Sequence, residues 1–211
     1  AAKWFADASN YSKHFLARDV EPSKASGLRS SMVATFNSLE MMIGQLPHEG
    51  AHPQTVRNTK ELRGRMIHLL PVVDALDDAL YALERRAPEL LDKVTPLLDH
   101  AQAWLERTRE GASIQQWQAL RHELEALQPS AAALDDRRQL VLSNVLYRLG
   151  EWIDLWQDCR SLQEAISTGN QDVWRAVYRH WRLGRLTPFL DRGLMLYSAF
   201  STVTAIVVAS V

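Results

Sequence analysis

The sequence has 211 residues, of which 46% are apolar and 23% are charged, and its formal net charge at pH 7 is -1. A chain of this length can bury one sizeable core, and its balanced charge excludes a whole-domain attraction to nucleic acid or acidic lipid. The single cysteine, Cys159, excludes a disulfide within the chain, so a reducing compartment is the simpler home. We expect one globular domain, with two domains as the alternative.

The first residues, AAKWFADASNYSKHF, contain neither an initiator Met nor the basic-then-apolar order of a secretion signal. We therefore expect the chain to be a segment of a longer protein. The C-terminal end, which stops within an apolar run, leads to the same expectation.

Apolar residues that recur every three or four positions predict one helix before Pro47 and a second helix after it. The first helix carries its apolar face at six positions: Leu28, Met32, Thr35, Leu39, Met42 and Leu46. The second helix carries its apolar face at seven positions: Leu62, Met66, Leu69, Val73, Leu76, Leu80 and Leu83. Because the second pattern continues through Pro71, it predicts one helix that is kinked at this proline.

Two further helices are predicted on either side of Gly111. The third helix runs from about Pro88, a first-turn proline, to Gly111. The fourth opens at Ser113, whose hydroxyl can cap the helix while Gln116 reaches back to the chain before it. We expect Pro129 to separate the fourth helix from the next one.

The longest predicted helix extends from about Ser130 to Thr168, and Asn170 is expected to cap a further helix that carries arginines. The apolar stripe of the long helix consists of Val141, Val145, Leu149, Trp152, Trp156, Cys159 and Ile166. The sequence contains no Asn-Gly or Asp-Gly hairpin and no sustained period-two alternation, so it predicts no strand. The expected fold is an all-α antiparallel bundle of long helices that cross at about 20 degrees.

Residues 48 to 52, HEGAH, match the zinc motif H-E-x-x-H letter for letter. In that motif, two histidines one helical turn apart bind zinc and the glutamate acts as a general base. The motif requires a helix, but this copy lies between Pro47 and Pro53 and contains Gly50, all of which disfavour helix. We interpret LPHEGAHP as a loop between two bundle helices and expect no metal site there.

The other chemically reactive side chains are interpreted as structural. Asp74, Asp77 and Asp78 are expected on a solvated helix face. Asp135 and Asp136 are expected near a helix start, where acidic side chains interact favourably with the helix dipole. Cys159 lies on an apolar stripe with no histidine nearby in sequence, which favours a small buried residue over a nucleophile. Since the sequence also has no glycine-rich phosphate loop, no G-x-S-x-G and no Cys-x-x-Cys, it predicts no enzyme, no catalytic residue and no cofactor.

The segment from Gly193 to Val211 contains no charged residue. A helix needs about 20 apolar residues to cross roughly 30 Å of hydrocarbon, and the five hydroxyl residues of this segment can bond back to carbonyls of their own helix. A buried core helix is the alternative, but core helices of soluble domains usually carry a polar stripe. We therefore divide the chain into a soluble helical-bundle domain, residues 1–192, and the beginning of a transmembrane helix, residues 193–211.

Five arginines and two tryptophans before this apolar segment are predicted to form a membrane interface: Arg175, Arg179, Arg182, Arg185, Arg192, Trp174 and Trp181. An excess of arginine beside a membrane helix is typical of the cytoplasmic side. Tryptophans suit the headgroup layer, although a helix that packs its aromatic residues into an ordinary core would show the same spacing. The sequence thus predicts a cytoplasmic domain next to a membrane.

The closing run RHWRLGRLTPFLDRGLMLYSAFSTVTAIVVASV is basic and aromatic and then abruptly apolar. It resembles the start of the second membrane half of bacterial fusaric acid resistance proteins, a family that includes the aromatic carboxylic acid exporters. The helices from KASGLRSSMVATFNSLEMMIGQL onward are similar to the soluble region between the two membrane halves of that family. The resemblance implies an inner-membrane efflux protein that acts with a periplasmic adaptor, and we also expect a homo-oligomer.

Two other classes of protein share some of these features. A helical sensor or ligand-binding domain of a membrane receptor would also place long helices beside a membrane segment, but it would bind its ligand outside the cell, which the arginines disfavour. A coiled-coil scaffold would dimerise through its apolar stripes, but Pro71, Pro88 and Pro129 interrupt the long heptad pattern that it needs.

Overall fold

The computed structural model describes residues 2–17, 22–46, 48, 50–108, 114–132 and 134–169. These residues form helices and loops, with no strand among them, so the predicted all-α fold is confirmed. The elements follow the chain as α1 (Ala2–Leu16), α2 (Pro22–Gln45), α3 (Pro53–Arg86), a 3-10 turn (Pro88–Leu90), α4 (Leu91–Arg107), α5 (Ile114–Ala132) and α6 (Asp136–Thr168).

The two longest helices, α3 with 34 residues and α6 with 33, form the most extensive helix pair of the bundle. They run antiparallel, as two ion pairs at opposite ends demonstrate. Arg138 in the first turn of α6 pairs with Glu89, just beyond the end of α3, at 3.0 Å. At the other end, Arg65 of α3 pairs with Asp158 of α6 at 3.7 Å. Each helix is about 50 Å long at 1.5 Å per residue, so the pair forms the long axis of the bundle.

The middle of α6, from Trp152 to Leu162, is surrounded by other helices. Every residue from Trp152 to Leu162 is buried except Asp154 and Arg160, which are partly exposed. A helix without an exposed face can be covered only from several sides at once. α6 is therefore the central helix of the bundle over this stretch.

The first helix, α1, completes the core around α6 with aromatic side chains. Phe5 contacts Trp156 edge to face at 5.9 Å between ring centroids, and Phe15 contacts Trp152 in the same manner at 6.1 Å. On the other side, Trp104 of α4 lies 6.0 Å from Trp152. Edge-to-face aromatic pairs add about 0.5–1.5 kcal/mol each beyond the apolar area that they bury. No specific helix was predicted before residue 28, although the buried residues of α1 recur at helical spacing.

The predicted apolar stripe of α3 is confirmed as core, and so is that of α6 apart from Ile166, which is partly buried. In the predicted stripe of α2, Met32 is buried, whereas Leu28, Thr35 and Leu46 are only partly buried. All seven residues of the α3 stripe are buried, and α3 is one continuous helix through Pro71, as expected. Pro71 lies on the exposed side of α3. The backbone carbonyl that loses its helical partner to a proline can therefore be reached by water, which lowers the free-energy cost of the interruption. The kink at Pro71 stays a prediction.

Two predicted boundaries were wrong. α5 continues through Pro129 to Ala132, and α6 begins at Asp136 rather than near Ser130. A proline removes a single helical N–H bond, and one more turn can form beyond it near a helix end. The start of α6 is determined by Asp135, whose Oδ1 accepts a hydrogen bond from the backbone N–H of Arg138 at 3.0 Å, the usual N-cap geometry.

Several predictions lie outside the described residues. They concern the caps Ser113 and Asn170, the membrane interface between Trp174 and Arg192, and the apolar segment 193–211. Of the helices in the described part of the chain, none combines the length and the apolar character that crossing a membrane requires. The division of the chain at residue 192 stays a prediction.

Candidate functional site

The HEGAH stretch forms the loop between α2 and α3, as the sequence predicted. His48 is exposed in a turn, and Gly50 has a positive φ of 74°, which a helix does not contain. His52 is the N-cap of α3, and its Nδ1 accepts a hydrogen bond from the backbone N–H of Gln54 at 3.2 Å. The two histidines therefore do not share a helical face. Within the described residues no group of three or more His, Cys, Asp or Glu side chains could hold a metal ion, and the expected lack of a metal site stays a prediction.

Asp74 departs from the expected solvated face. Its Oδ1 accepts a hydrogen bond from the Tyr11 hydroxyl at 3.2 Å, and its Oδ2 lies 2.8 Å from Nη2 of Arg29. One carboxylate thus joins α1, α2 and α3. Burial of the phenol, together with the nearby charge of Asp74, raises the pKa of Tyr11 to about 12. The sequence spacing could not reveal this role, since both partners lie more than forty residues away along the chain.

Cys159 is fully buried in the core, which confirms the interpretation of this residue as a small apolar side chain. Burial raises the pKa of the Cys159 thiol well above its usual value, and the charge of the neighbouring Asp158 adds to the effect. The thiolate, which is the reactive form, is therefore not populated at neutral pH.

A buried polar layer lies between α3 and the C-terminal half of α6, and it consists of Asn58, Arg65, Gln157, Asp158 and Ser161. Asp158 is 1% exposed and pairs with Arg65, while Gln157 donates a hydrogen bond from Nε2 to the Ser161 hydroxyl at 3.2 Å. The Arg65–Asp158 pair joins the two helices, whereas the Gln157–Ser161 hydrogen bond lies within α6. Because a buried carboxylate is costly without its partner, the pair favours the alignment of α3 and α6 in which the two charges meet.

A second polar cluster joins the same half of α6 to α4 and α1. Trp156 donates from Nε1 to the Thr108 hydroxyl at 3.0 Å, and Arg160 donates to the Thr108 carbonyl. The guanidinium of Arg160 also lies 5.4 Å from the centre of the Phe5 ring, within range of a cation–π interaction. Although burial lowers the pKa of Arg160 below its usual value, an arginine remains charged at neutral pH. These contacts fix the end of α4 against α6.

The candidate site is therefore the C-terminal half of α6 with its two polar clusters. The sequence does not reveal this site, because Gln157, Asp158 and Arg160 do not belong to the apolar stripe and residues of the same types also occur on exposed helix faces. The arrangement is suited to rigid mechanical coupling. The contacts of the two clusters join α6 to α3, α4 and α1, and α6 ends at Thr168.

Comparison with known proteins finds the same family that the closing run of the sequence resembles. The model of the fusaric acid resistance protein family matches residues 1–211, the whole chain. Searches among curated proteins and among solved structures found no match. Since the family match covers every residue, it includes both the bundle and the apolar C-terminal segment. The chain belongs to the fusaric acid resistance protein family, a family of membrane-associated transport proteins.

Proposed function

We propose that the chain is the soluble domain between the two membrane halves of an inner-membrane efflux transporter. The transporter exports aromatic carboxylic acids or similar toxic compounds, and thereby gives resistance to them. The observation that carries this proposal is the family match over all 211 residues, which joins the helical bundle to an uncharged segment of 19 residues, 193–211.

The geometry of α6 supports a mechanical role in transport. The stretch of α6 from Trp152 to Leu162 has no exposed residue and is held by the Arg65–Asp158 pair and the Arg160–Thr108 contact. Interiors packed in this way transmit displacement instead of absorbing it. In the proposed transporter, the bundle acts as a rigid body that braces the following membrane helix.

The domain is proposed to work without enzymatic chemistry and without a cofactor. Its only thiol, on Cys159, is buried and protonated, and the two histidines of HEGAH lie in a loop without a common face. The substrate path is proposed to lie mainly in the membrane halves of the intact protein. The partners are then the rest of the transporter in the membrane, further copies of the chain and a periplasmic adaptor.

The transport proposal can be tested in bacteria that express the full-length protein. Cells are loaded with radiolabelled benzoate, the simplest aromatic carboxylic acid, and with cyclohexanecarboxylate as a matched acid that lacks the aromatic ring. We expect expression to lower the retained benzoate more than the retained cyclohexanecarboxylate. If both acids are retained as in cells with an empty vector, while the protein is present in the inner membrane, the proposal is wrong.

The proposed cytoplasmic side has its own test. A cysteine is introduced at Arg185 or Arg192 of the full-length protein, and a membrane-impermeant maleimide is added to intact cells. Cys159 gives little background because it is fully buried. We expect labelling only after the cells are permeabilised, since arginines next to a membrane helix are retained on the cytoplasmic side. Labelling in intact cells would put the domain in the periplasm.

A further inference from the structure

One side of α2 is exposed along most of its length and carries no charge. We call this surface the α2 face, and it consists of Gly27, Ser30, Val33, Ala34, Asn37, Ser38, Met41, Gly44 and Gln45. At 100° per residue these nine positions fall within a sector of about 140°, and the α2 face is about 27 Å long. Met41 is 69% exposed and Val33 is 45% exposed. An exposed helix side of a soluble bundle normally carries charged residues, whereas the α2 face carries small, uncharged polar and apolar residues.

The spacing along the α2 face is typical of a helix–helix contact. Six of its positions advance by alternating steps of three and four residues: Gly27, Ser30, Ala34, Asn37, Met41 and Gly44. This is the seam along which two helices pack side by side. At Gly27 and at Gly44, an added Cβ would meet no atom of the described residues within 4 Å, so the described part of the chain leaves both positions open.

Two charges border the α2 face on one edge. Arg29 pairs with Asp74 at 2.8 Å and Glu40 pairs with Arg63 at 2.6 Å, so both are held towards α3. Each of these two α2 side chains is still 53% exposed. They can therefore meet a second, opposite charge from a neighbouring molecule.

We propose that the α2 face packs against the α2 face of a second copy of this chain, with the two helices antiparallel about a two-fold axis near Ala34. In this arrangement Arg29 faces the partner's Glu40, and Glu40 faces the partner's Arg29, because the two residues are nearly equidistant from Ala34 on the same edge. In a parallel pair, Arg29 would instead lie level with the partner's Arg29, and Glu40 would lie level with the partner's Glu40. Charge complementarity thus selects the antiparallel pair.

The shape of the surface fits the same axis. Met41 lies seven residues after Ala34, and a groove of about 530 Å³ lies the same distance before it, where α1 and α2 meet. Gly27 and Leu28 contribute the α2 side of that groove, and Asn10, Lys13 and His14 contribute the α1 side. The antiparallel pair places the flexible Met41 side chain of each copy at the groove of the other. Methionine is well suited to fill such an irregular space.

The proposed function includes a homo-oligomer, and the α2 face would be the surface through which its copies associate. This inference therefore rests on the proposed homo-oligomer. The test reads the contact itself and not transport, so that each proposal can fail separately. Ala34→Cys is made in the full-length protein, with any cysteine outside residues 1–211 replaced by serine. Ala126→Cys on the exposed side of α5 is the matched control. Membranes are oxidised and examined for a disulfide-linked dimer, which requires Cβ atoms about 4 Å apart.

We expect a linked dimer for Ala34→Cys and none for Ala126→Cys. The antiparallel arrangement also predicts that Met41→Cys does not link to itself, whereas Gly27→Cys and Met41→Cys link to each other when the two variants are expressed together. Failure of Ala34→Cys to link in correctly inserted protein would overturn the proposal. Linking of Met41→Cys to itself would overturn the antiparallel arrangement.

A charge at the axis provides an independent measurement. Ala34→Glu sets two like charges against each other in the dimer, and Ala126→Glu adds the same charge to an open helix face. We expect Ala34→Glu to weaken association at least about tenfold, and Ala126→Glu to leave it unchanged. The masses of the detergent-solubilised proteins are compared by light scattering over a dilution series, and circular dichroism verifies that both variants are folded. Equal dissociation of the two variants and the wild type would contradict the proposed surface.

Discussion

The Arg65–Asp158 pair allows the stabilising role of the buried polar layer to be measured. The side chain of Asp158 is 2% exposed and that of Arg65 is 13% exposed, with 3.7 Å between the charged atoms. At an effective dielectric constant of about 20, Coulomb's law gives about 4 kcal/mol for this separation. Asp158→Ala leaves a guanidinium without its carboxylate in the interior, and we expect it to lower the free energy of unfolding by about 3–5 kcal/mol.

The exposed pair between Arg138 and Glu89 is the matched control. Its charged atoms are closer, at 3.0 Å, but the two side chains are 51% and 49% exposed. Exposed pairs typically contribute about 0–1 kcal/mol, so Glu89→Ala should have little effect. Replacing both buried partners, in the double variant Arg65→Met with Asp158→Leu, should restore stability close to that of the wild type, because no charge is then left uncompensated.

Urea unfolding followed by circular dichroism measures these four proteins, provided that the dependence of the free energy on urea concentration stays the same. We expect the wild type, the double variant and Glu89→Ala to have similar free energies of unfolding, and Asp158→Ala to have a much lower one. If Glu89→Ala costs as much as Asp158→Ala, then burial does not determine the strength of these pairs. If the double variant is no more stable than Asp158→Ala, the loss of stability comes from altered packing and not from removal of the carboxylate that pairs with Arg65.

Two further predictions concern Tyr11 and Gly150. The pKa of Tyr11 is raised to about 12 in the folded chain, so the stability that this shift contributes is complete below about pH 10 and is lost as the pH rises towards 12. The difference in free energy of unfolding between wild type and Tyr11→Phe should therefore narrow over that range, and a constant difference would contradict the raised pKa. At Gly150, an added Cβ would lie 2.7 Å from Nη1 of Arg121, the movable end of a partly exposed side chain, and 3.5 Å from Cδ1 of Leu124. Gly150→Ala should thus leave the midpoint of thermal unfolding nearly unchanged or raise it, since alanine favours helix by about 1 kcal/mol. Gly150→Leu should instead destabilise the protein by about 1–3 kcal/mol, because the larger side chain does not fit between the helices. Equal midpoints for both variants would show that α5 does not approach α6 closely.

The sequence predicts α3 well because the information is local. Its seven stripe residues recur at helical spacing, and one neighbouring surface covers them, so periodicity alone identifies both the helix and its buried side. The acidic cap at Asp135 is equally local, since it depends on a contact three residues along the chain. The boundary at Pro129 failed because one proline removes only one hydrogen bond, and neighbouring turns can offset that loss.

The candidate site could not be predicted in the same way. Periodicity reports which side of a helix is covered, but the stretch of α6 from Trp152 to Leu162 has no exposed side, so its buried polar residues interrupt the pattern instead of extending it. Asp158 looks the same in the sequence as an exposed acid. Its burial depends on Arg65, which is 93 residues away along the chain and comes close only once α3 and α6 are aligned.

The two halves of α6 differ in a way that bears on the proposed role of the bundle in transport. The N-terminal half exposes Leu140 and Tyr147, at 72% and 60%, whereas no residue from Trp152 to Leu162 is exposed. If the bundle supports the following membrane helix, its packing should be tightest in the part of α6 that leads to that helix. This role requires rigid packing and does not require particular charges. The double variant Arg65→Met with Asp158→Leu keeps the packing and removes both charges. We therefore expect the full-length protein with these two substitutions to export benzoate as the wild type does, and Asp158→Ala to export less. Loss of export in the stable double variant would show that the charges themselves take part in transport.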